Sequence, residues 1–506
     1  MGITLDSLWL GFSVALQPGV LWYAFLGCLV GTLVGVLPGI GPLAGISILL
    51  PITFGLDATK AIVMLAGIYY GSQYGGSTTS ILLRIPGEAS SVMTCIDGNA
   101  MARKGRAGAA LCIAAIGSFI AGTFGVIVLT VIAPPLANIA LKFGPPEYTA
   151  LLTLGLIFLA YMSTSSLTRT LLMACLGLLL GTIGIDPLSG HFRFSFDIPE
   201  LGDGIGIVPV AVGLFGLGEI LATPSHKVTG EVIRPKLREL WPSREEWRQS
   251  GWPIARGTVM GFLIGIIPGS AHIISSFLSY AVEKKVSKHP EEFGHGAVAG
   301  VAGPESANNA ASTGAFVPML ALGIPTGPVT AVLMAALMIH GVPPGPTLVN
   351  DHPQVFWGFI ASMYVGNLML LALNLPMVGL FVHLLRIPYA YLYPLIIMFC
   401  VIGVYEVAHS IVDVWIMLIM GGVGYGLKKF GFDPAPLVLG LVIAPIFEMS
   451  LRQSLIMSDG NWTIFVMRPI AATLVVVCIL LLIASAVSAI RAQRDWRAKM
   501  AEEVKE

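Results

Sequence analysis

The sequence predicts an all-α polytopic membrane protein: two inverted-topology repeats with broken or re-entrant helices, and about 10–12 transmembrane crossings. Three observations carry that expectation. The 506 residues are 55% hydrophobic and only 11% charged, with a mean hydropathy of +0.84, a balance foreign to water-soluble domains of this length. One motif occurs twice, in "GTLVGVLPGIG" at residues 31–41 and "GFLIGIIPGSA" at residues 261–271, both reading G-x-x-x-G-x-x-P-G. Each copy is followed by a small, polar Gly/Ser/Thr-rich run ending in a second proline break, "LLRIPG" at 82–87 and "LGIPTG" at 322–327.

Taken in order, the first twenty residues hold Asp6 but no Lys or Arg, so they lack the basic region of a cleavable secretion signal and are expected to persist in the mature chain. Residues 108–133, 356–385 and 464–490 each supply the ~20 apolar residues that cross a hydrocarbon core as helix. Helix is expected to stop at Pro38-Gly39 and at Pro268-Gly269, since proline removes a backbone donor and glycine admits unusual torsions. The organisation expected is an N-terminal repeat over 1–223, a cytoplasmic connector over 224–256, a C-terminal repeat over 257–490 and a cytoplasmic tail over 491–506. The six cysteines are scattered without metal-binding spacing and read as packing residues.

Lys and Arg distribution decides between parallel and inverted halves, because cytoplasmic loops collect cations. The loop at Asp57 and Lys60 is poor in them and the loop at Arg103, Lys104 and Arg106 is rich. In the second half the order reverses: Lys284, Lys285 and Lys288 come first, and residues 341–353 have none. Continued along the chain, the alternation leaves only Lys60, Lys142, Arg193 and Arg452 on the far side, with Arg84 and Arg468 within or at the edge of spans.

Non-helical backbone at membrane depth is tolerated only inside protein or along a watery cavity, so matched breaks in two halves point to a transport site. Half-helix N-termini there aim partial positive charge at an anion. The candidate substrate contacts are Pro38, Gly39, Gly41, Ser77, Thr78, Thr79, Arg84, Pro86 and Gly87 in the first half. Their counterparts are Pro268, Gly269, Ser270, Ser312, Thr313, Pro325, Thr326 and Gly327. Candidate coupling-ion contacts are Ser80, Glu305, Ser306, Asn308 and Asn309, whose hard oxygens suit Na+, with Glu305 able to carry a proton. Carbonyls unwound near residues 77–80 and 306–309 are expected to join them. Small polar residues also mediate plain helix packing, which is the commoner role of any one Ser or Thr. Arg84 is expected to pair with Glu88 or Asp97, to reach the interface, or to bind a carboxylate. Asp97 and Asn99 look like a structured turn at the cytoplasmic mouth, and His272, just past Pro268-Gly269, like a packed neutral ring or a proton site.

A formal net charge of zero argues against nucleic acid as a partner, since phosphate binding needs a basic face. There is no HExxH, G-x-S-x-G or G-x-G-D motif for intramembrane hydrolysis and no Walker loop for ATP, so no enzymatic activity is expected.

The motifs "GVLPGIGP", "YYGSQYGGSTTSILLRIPGEASSVMTCIDGNAMARKGRAG" and "SFLSYAVEKKVSKHPEEFGHGAVAGVAGPESANNAASTGAFVPMLALGIP" resemble those of the large membrane subunit of the tripartite tricarboxylate transporter family. That resemblance implies a multi-pass permease of the bacterial inner membrane. It would take an organic carboxylate from a periplasmic solute-binding protein and work beside a small four-helix membrane subunit, driven by Na+ or H+ and without any other cofactor. A carboxylate/cation symporter that works without a binding protein is the alternative. The resemblance places the family's motif positions on Pro38, Gly39, Ser77, Thr78, Thr79, Pro86 and Gly87 and on Pro268, Gly269, Pro304, Glu305, Ser306, Asn308, Asn309 and Pro325; Arg84, His272 and Thr326-Gly327 depart from the pattern.

Overall fold

The computed structural model describes residues 5–37, 40–162, 166–222, 240–269, 271–376, 389–484 and 487. Pro38, Gly39, Ser270, most of the connector before residue 240 and the expected cytoplasmic tail lie outside them. The first half contains helices α1 (Leu5–Ala15), α2 (Pro18–Val36), α3 (Gly41–Leu49), α4 (Ala58–Leu83), α5 (Val92–Met101), α6 (Ala107–Ala140), α7 (Pro145–Met162), α8 (Leu167–Leu180) and α9 (Ile207–Ala222). The second contains α10 (Arg244–Gly265), α11 (Ala271–Val286), α12 (Ala299–Gly314), α13 (Phe316–Leu322), α14 (Pro328–Ile339), α15 (Pro353–Asn374), α16 (Tyr389–Ala408), α17 (Ile411–Lys429), α18 (Ala435–Met457) and α19 (Pro469–Ala484). The only strands among the described residues are Gly184–Ile185 and Phe192–Arg193, an antiparallel pair. The expected all-α membrane architecture is therefore what forms. Five described helices are long and apolar enough to cross a bilayer, and shorter apolar helices, α3 and α14 among them, flank the breaks.

Local chemistry sets the ends. Proline stands in the first turn of α2, α3, α14 and α15, where its missing N–H costs nothing. Asp57 caps α4 by accepting from Lys60 N at 3.0 Å, and Ser243 and Glu246 form a capping box on α10. At the far end α4 stops because Arg84 turns left-handed at φ 59°, ahead of Pro86; α13 stops at Gly323, φ 69°, ahead of Pro325.

Glycine spacing decides which helices meet. A Cβ on Gly31 would lie 2.6 Å from the Ile68 carbonyl oxygen, and Gly27 and Gly35 similarly face Met64 and Ser72, so α2 lies backbone-to-backbone along α4. Gly257, Gly261 and Gly265 of α10 meet Gly303, Ala307 and Ala311 of α12 in the same way. The duplicated motif thus builds one packing unit twice.

This accounts for one corrected expectation. Residues 77–80 and 306–309 are not unwound: they lie inside α4 and α12, where glycines serve close approach rather than chain reversal. The open backbone lies beyond them, at residues 84–88 and 323–327.

Charged loop residues of the two halves meet. Arg106 bonds Glu246, and Lys104 donates to the His295 carbonyl at 2.7 Å, placing the first half's basic loop beside the second half's segment that follows Lys288. Phe54, next to the Asp57–Lys60 pair, stacks near His340 with ring centroids 6.0 Å apart. Arg193, Glu448, Arg452 and Asp186 form a third cluster, fastening the strand pair to α18. Of the cysteines, Cys175 alone is exposed and none is in a disulfide.

Candidate functional site

Four helices begin around one cavity of about 420 Å³, a size typical of small-molecule sites. Its wall is formed by the first turns of α3 (Gly41 to Ala44), α11 (His272, Ile273), α14 (Pro328, Val329) and α18 (Ala435, after Pro434). The break Pro86-Gly87-Glu88 closes one side, and Phe215, Glu219, Lys428 and Asp433 close another. Helix starts carry a partial positive charge; at α18 the Ala435 amide already donates to Asp433 Oδ1 at 2.9 Å, and the lining also holds Glu88, Glu219 and Lys428. The two broken regions therefore meet, as the matched breaks required. Gly269 N donates to the Thr326 carbonyl at 2.6 Å, joining both breaks of the second half directly.

In the first half, glycine at 87 is what lets the break fold back. A Cβ there would collide with the Gly35 carbonyl oxygen and lie 2.5 Å from the Gly76 Cα. Thr79 reinforces the corner by donating to the Val36 carbonyl at 2.8 Å, and Ser80 bonds the Gly76 carbonyl and Ser91.

Behind the cavity lie two buried carboxylates, one from each half. Glu88 is 8% exposed and Glu305 1%. Glu305 accepts from Ser77 at 2.6 Å and from Thr94; Glu88 accepts from Ser90 and from Asn308 Nδ2 at 3.1 Å. The amide orientation of Gln73 that satisfies its neighbours donates to Glu88 Oε2 at 2.8 Å and accepts from Ser312 at 3.2 Å. Among the described residues neither carboxylate has a cationic partner.

The structure sorts the sequence candidates into groups. Gly41, Pro86 and Gly87 line the cavity; Ser77, Glu305, Asn308 and Ser312 belong to the carboxylate network. Pro268, Gly269, Pro325, Thr326 and Gly327 build the second corner. Ser306, Asn309 and Thr313 face α6 instead: Ser306 abuts Gly117, Asn309 donates to Ser118 at 2.7 Å, and Thr313 packs against Gly125. Thr78 lines a small void with Tyr74, Ser118 and Asn374. Pro38, Gly39 and Ser270 lie outside the described residues.

Of the alternatives expected for Arg84, the pair with Glu88 or Asp97 does not form. Arg84 is exposed and forms no ion pair among the described residues, because the left-handed step that ends α4 turns it outward. Asp97 and Asn99 are helical rather than a turn. Asp97 is a buried anchor, accepting from the Gly294, Gly296 and Ala297 amides at 2.9, 2.7 and 2.9 Å and from the Tyr280 hydroxyl at 2.8 Å.

Glu88 entered the sequence reading only as a partner for Arg84, although a carboxylate directly after an Ile-Pro-Gly break in apolar surroundings was itself a signal. Glu219, Lys428 and Asp433 had none. They reach the cavity because α9 packs against α3 and α14 while α17 packs against α9, where the Lys428–Glu219 ion pair forms.

A family model described as "Tripartite tricarboxylate transporter TctA family" matches residues 21–439. The "Uncharacterized 52.8 kDa protein in TAR-I ttuC' 3'region" of Agrobacterium vitis is 49% identical over 491 residues, 97% of this chain and 98% of that protein. An "Uncharacterized protein in TAR-II ttuC' 3'region" of the same organism is 48% identical over 235 residues, 46% of this chain and 97% of its own length. No solved structure matches the chain.

Proposed function

The chain belongs to the tripartite tricarboxylate transporter TctA family, and from that premise we propose that it is the permease subunit that moves an organic carboxylate through the cavity between the two breaks. The carrying observation is the convergence of four helix starts on that cavity. Such starts bind anions through unpaired amides and aligned dipoles, with no need for a dedicated arginine. Lys428, held by Glu219, adds a cation at the rim.

A periplasmic solute-binding protein delivers the carboxylate, and a small four-helix membrane subunit completes the assembly. The chain lies in the bacterial inner membrane with its C-terminus in the cytoplasm. The halves, residues 1–223 and 257–490, are inverted repeats. In support, the basic loop at residues 103–106 sits near residues 294–297 and Phe54 sits near His340, so loops in equivalent places along the two halves keep opposite company. Alternating access follows by rocking or elevator displacement of the unit formed by α4, α5, α11 and α12. A gradient of Na+ or H+ drives it through the buried carboxylates.

The test is uptake of radiolabelled citrate and smaller dicarboxylates into liposomes holding the chain and its small subunit, with and without the cognate binding protein. Uptake that needs the binding protein and an ion gradient supports the reading. Uptake of comparable rate without the binding protein replaces it with a stand-alone symporter, and failure of any carboxylate to enter removes it.

A further inference from the structure

We infer that Glu88 and Glu305 form a coupled pair that holds the transport proton, with Glu88 as the member that senses the cavity. The inference rests on the proposed function and names how its site is energised.

Charge accounting comes first. Two carboxylates from opposite halves are buried behind the cavity, and every partner described for them is neutral: Ser77 and Thr94 on Glu305, Ser90, Asn308 and Gln73 on Glu88. Neutral donors do not offset two negative charges in a dry interior, so at least one charge must be neutralised by a captured cation.

The donor set decides which cation. Three of the five partners, Ser77, Thr94 and Ser90, are hydroxyls that can accept the O–H of a protonated carboxyl as well as donate to an ionised one. A sodium ion instead needs a shell of oxygen lone pairs converging on one point. A proton fits this network.

The two sites are connected. Ser77 Oγ lies 2.6 Å from Glu305 Oε2 and 3.1 Å from the Gln73 carbonyl, and the Gln73 amide faces Glu88. Asn308, less than one turn along α12 from Glu305, bonds Glu88. Only Glu88 also lines the cavity. A carboxylate ligand arriving there raises the cost of an ionised Glu88, so ligand and proton enter together. The proton passes from water to a Glu88 carboxyl oxygen, and release of both restores the anion. The other titratable groups facing the pair are Tyr69, Tyr74 and Cys95 on the network side, and His272, Glu219, Lys428 and Asp433 across the cavity. None of them makes an ion pair with either carboxylate.

The test is infrared spectroscopy of the full-length chain in phosphatidylcholine liposomes, titrated with pH in potassium buffer without any carboxylate ligand. A protonated-carboxyl band that fades with rising pH is expected. Glu88→Gln and Glu305→Gln should each remove one component and move the midpoint of the other by about one pH unit or more, as interacting sites do. Each isosteric variant is read separately, with circular dichroism checking its fold. Ser77→Ala, which keeps both acids, should move the midpoint without removing the band. A band untouched by all three substitutions overturns the inference, as does loss of the band at fixed pH on adding sodium chloride. No ligand is involved, so this failure is distinct from a failure of carboxylate uptake.

Discussion

Arg84 and Gly323 occupy the same place in the two halves. Each is the left-handed residue, at φ 59° and 69°, that ends a helix two residues before a proline. A side chain in that conformation costs about 1–2 kcal/mol where glycine costs little. Gly323 is also crowded, since a Cβ would sit 2.7 Å from the Pro344 carbonyl oxygen. Gly323→Ala should lower the thermal unfolding temperature in detergent, whereas Arg84→Gly should leave it unchanged or raise it by up to the equivalent of about 1 kcal/mol. Equal loss from both would show that the two corners are not equivalent.

The helix pairs α2–α4 and α10–α12 depend on glycine at the crossing. Gly35→Ala and Gly261→Ala each drive a methyl group into a carbonyl oxygen of the partner helix, at Ser72 and Ala307. Backbone cannot swing aside as a side chain does, so each substitution should cost at least the ~1–3 kcal/mol of an overpacked core. Gly426→Ala, where nothing lies within 4 Å of the added carbon, is the matched control and should leave the melting temperature near wild type. Fluorescence-detected thermal unfolding of the three variants makes the comparison.

Asn308 and Asn309 are neighbours in sequence with different work to do. Asn308 donates to Glu88, and Asn309 points toward α6 and Ser118, because consecutive residues on a helix diverge by roughly 100°. A hydrogen bond to a charged group contributes about 1.5–3 kcal/mol, so Asn308→Ala should reduce ion-driven uptake by roughly 10- to 100-fold. Asn309→Ala should chiefly lower thermal stability, with a smaller effect on rate. Initial rates in liposomes, normalised to folded protein, separate these outcomes; the reverse order would place the coupling site on the other face of α12.

The Arg452 guanidinium beside Asp186, with the Leu188 amide and the Ser189 hydroxyl, holds this carboxyl well below the usual carboxylate range. A depressed folded value means stabilisation that is complete above the unfolded value of about 3.9 and is lost as pH falls through the folded value. Acidification below about pH 4 should therefore loosen the strand pair at Gly184–Ile185 and Phe192–Arg193, read as faster hydrogen exchange at residues 184–193. In Asp186→Asn that loop should exchange faster at neutral pH and show a smaller response to acid.

Much of the architecture was legible because its causes are local. Apolar runs of membrane length, prolines at helix starts and the repeated G-x-x-x-G-x-x-P-G motif act within a few turns of chain, so the sequence predicted the helical class and the breaks near Pro86, Pro268 and Pro325, while the helix expected over 356–385 ends at Asn374 and that over 464–490 is interrupted at Arg468. The polar run at residues 72–80 was harder to read. Its glycines and hydroxyls suit either an unwound site or a tight helix crossing, and the α2 glycines opposite Met64, Ile68 and Ser72 decide for the crossing.

By itself, then, the sequence determined that this chain is a helical membrane protein carrying two matched interruptions, since hydropathy and backbone stereochemistry are properties of short segments. Which groups face one another was decided by tertiary structure alone. Glu88 lies more than two hundred residues from the Asn308 that bonds it, and Lys428 and Glu219 meet the cavity from helices with no motif of their own. The energy of a buried charge depends on what surrounds it in space, and no local pattern along the chain encodes those surroundings.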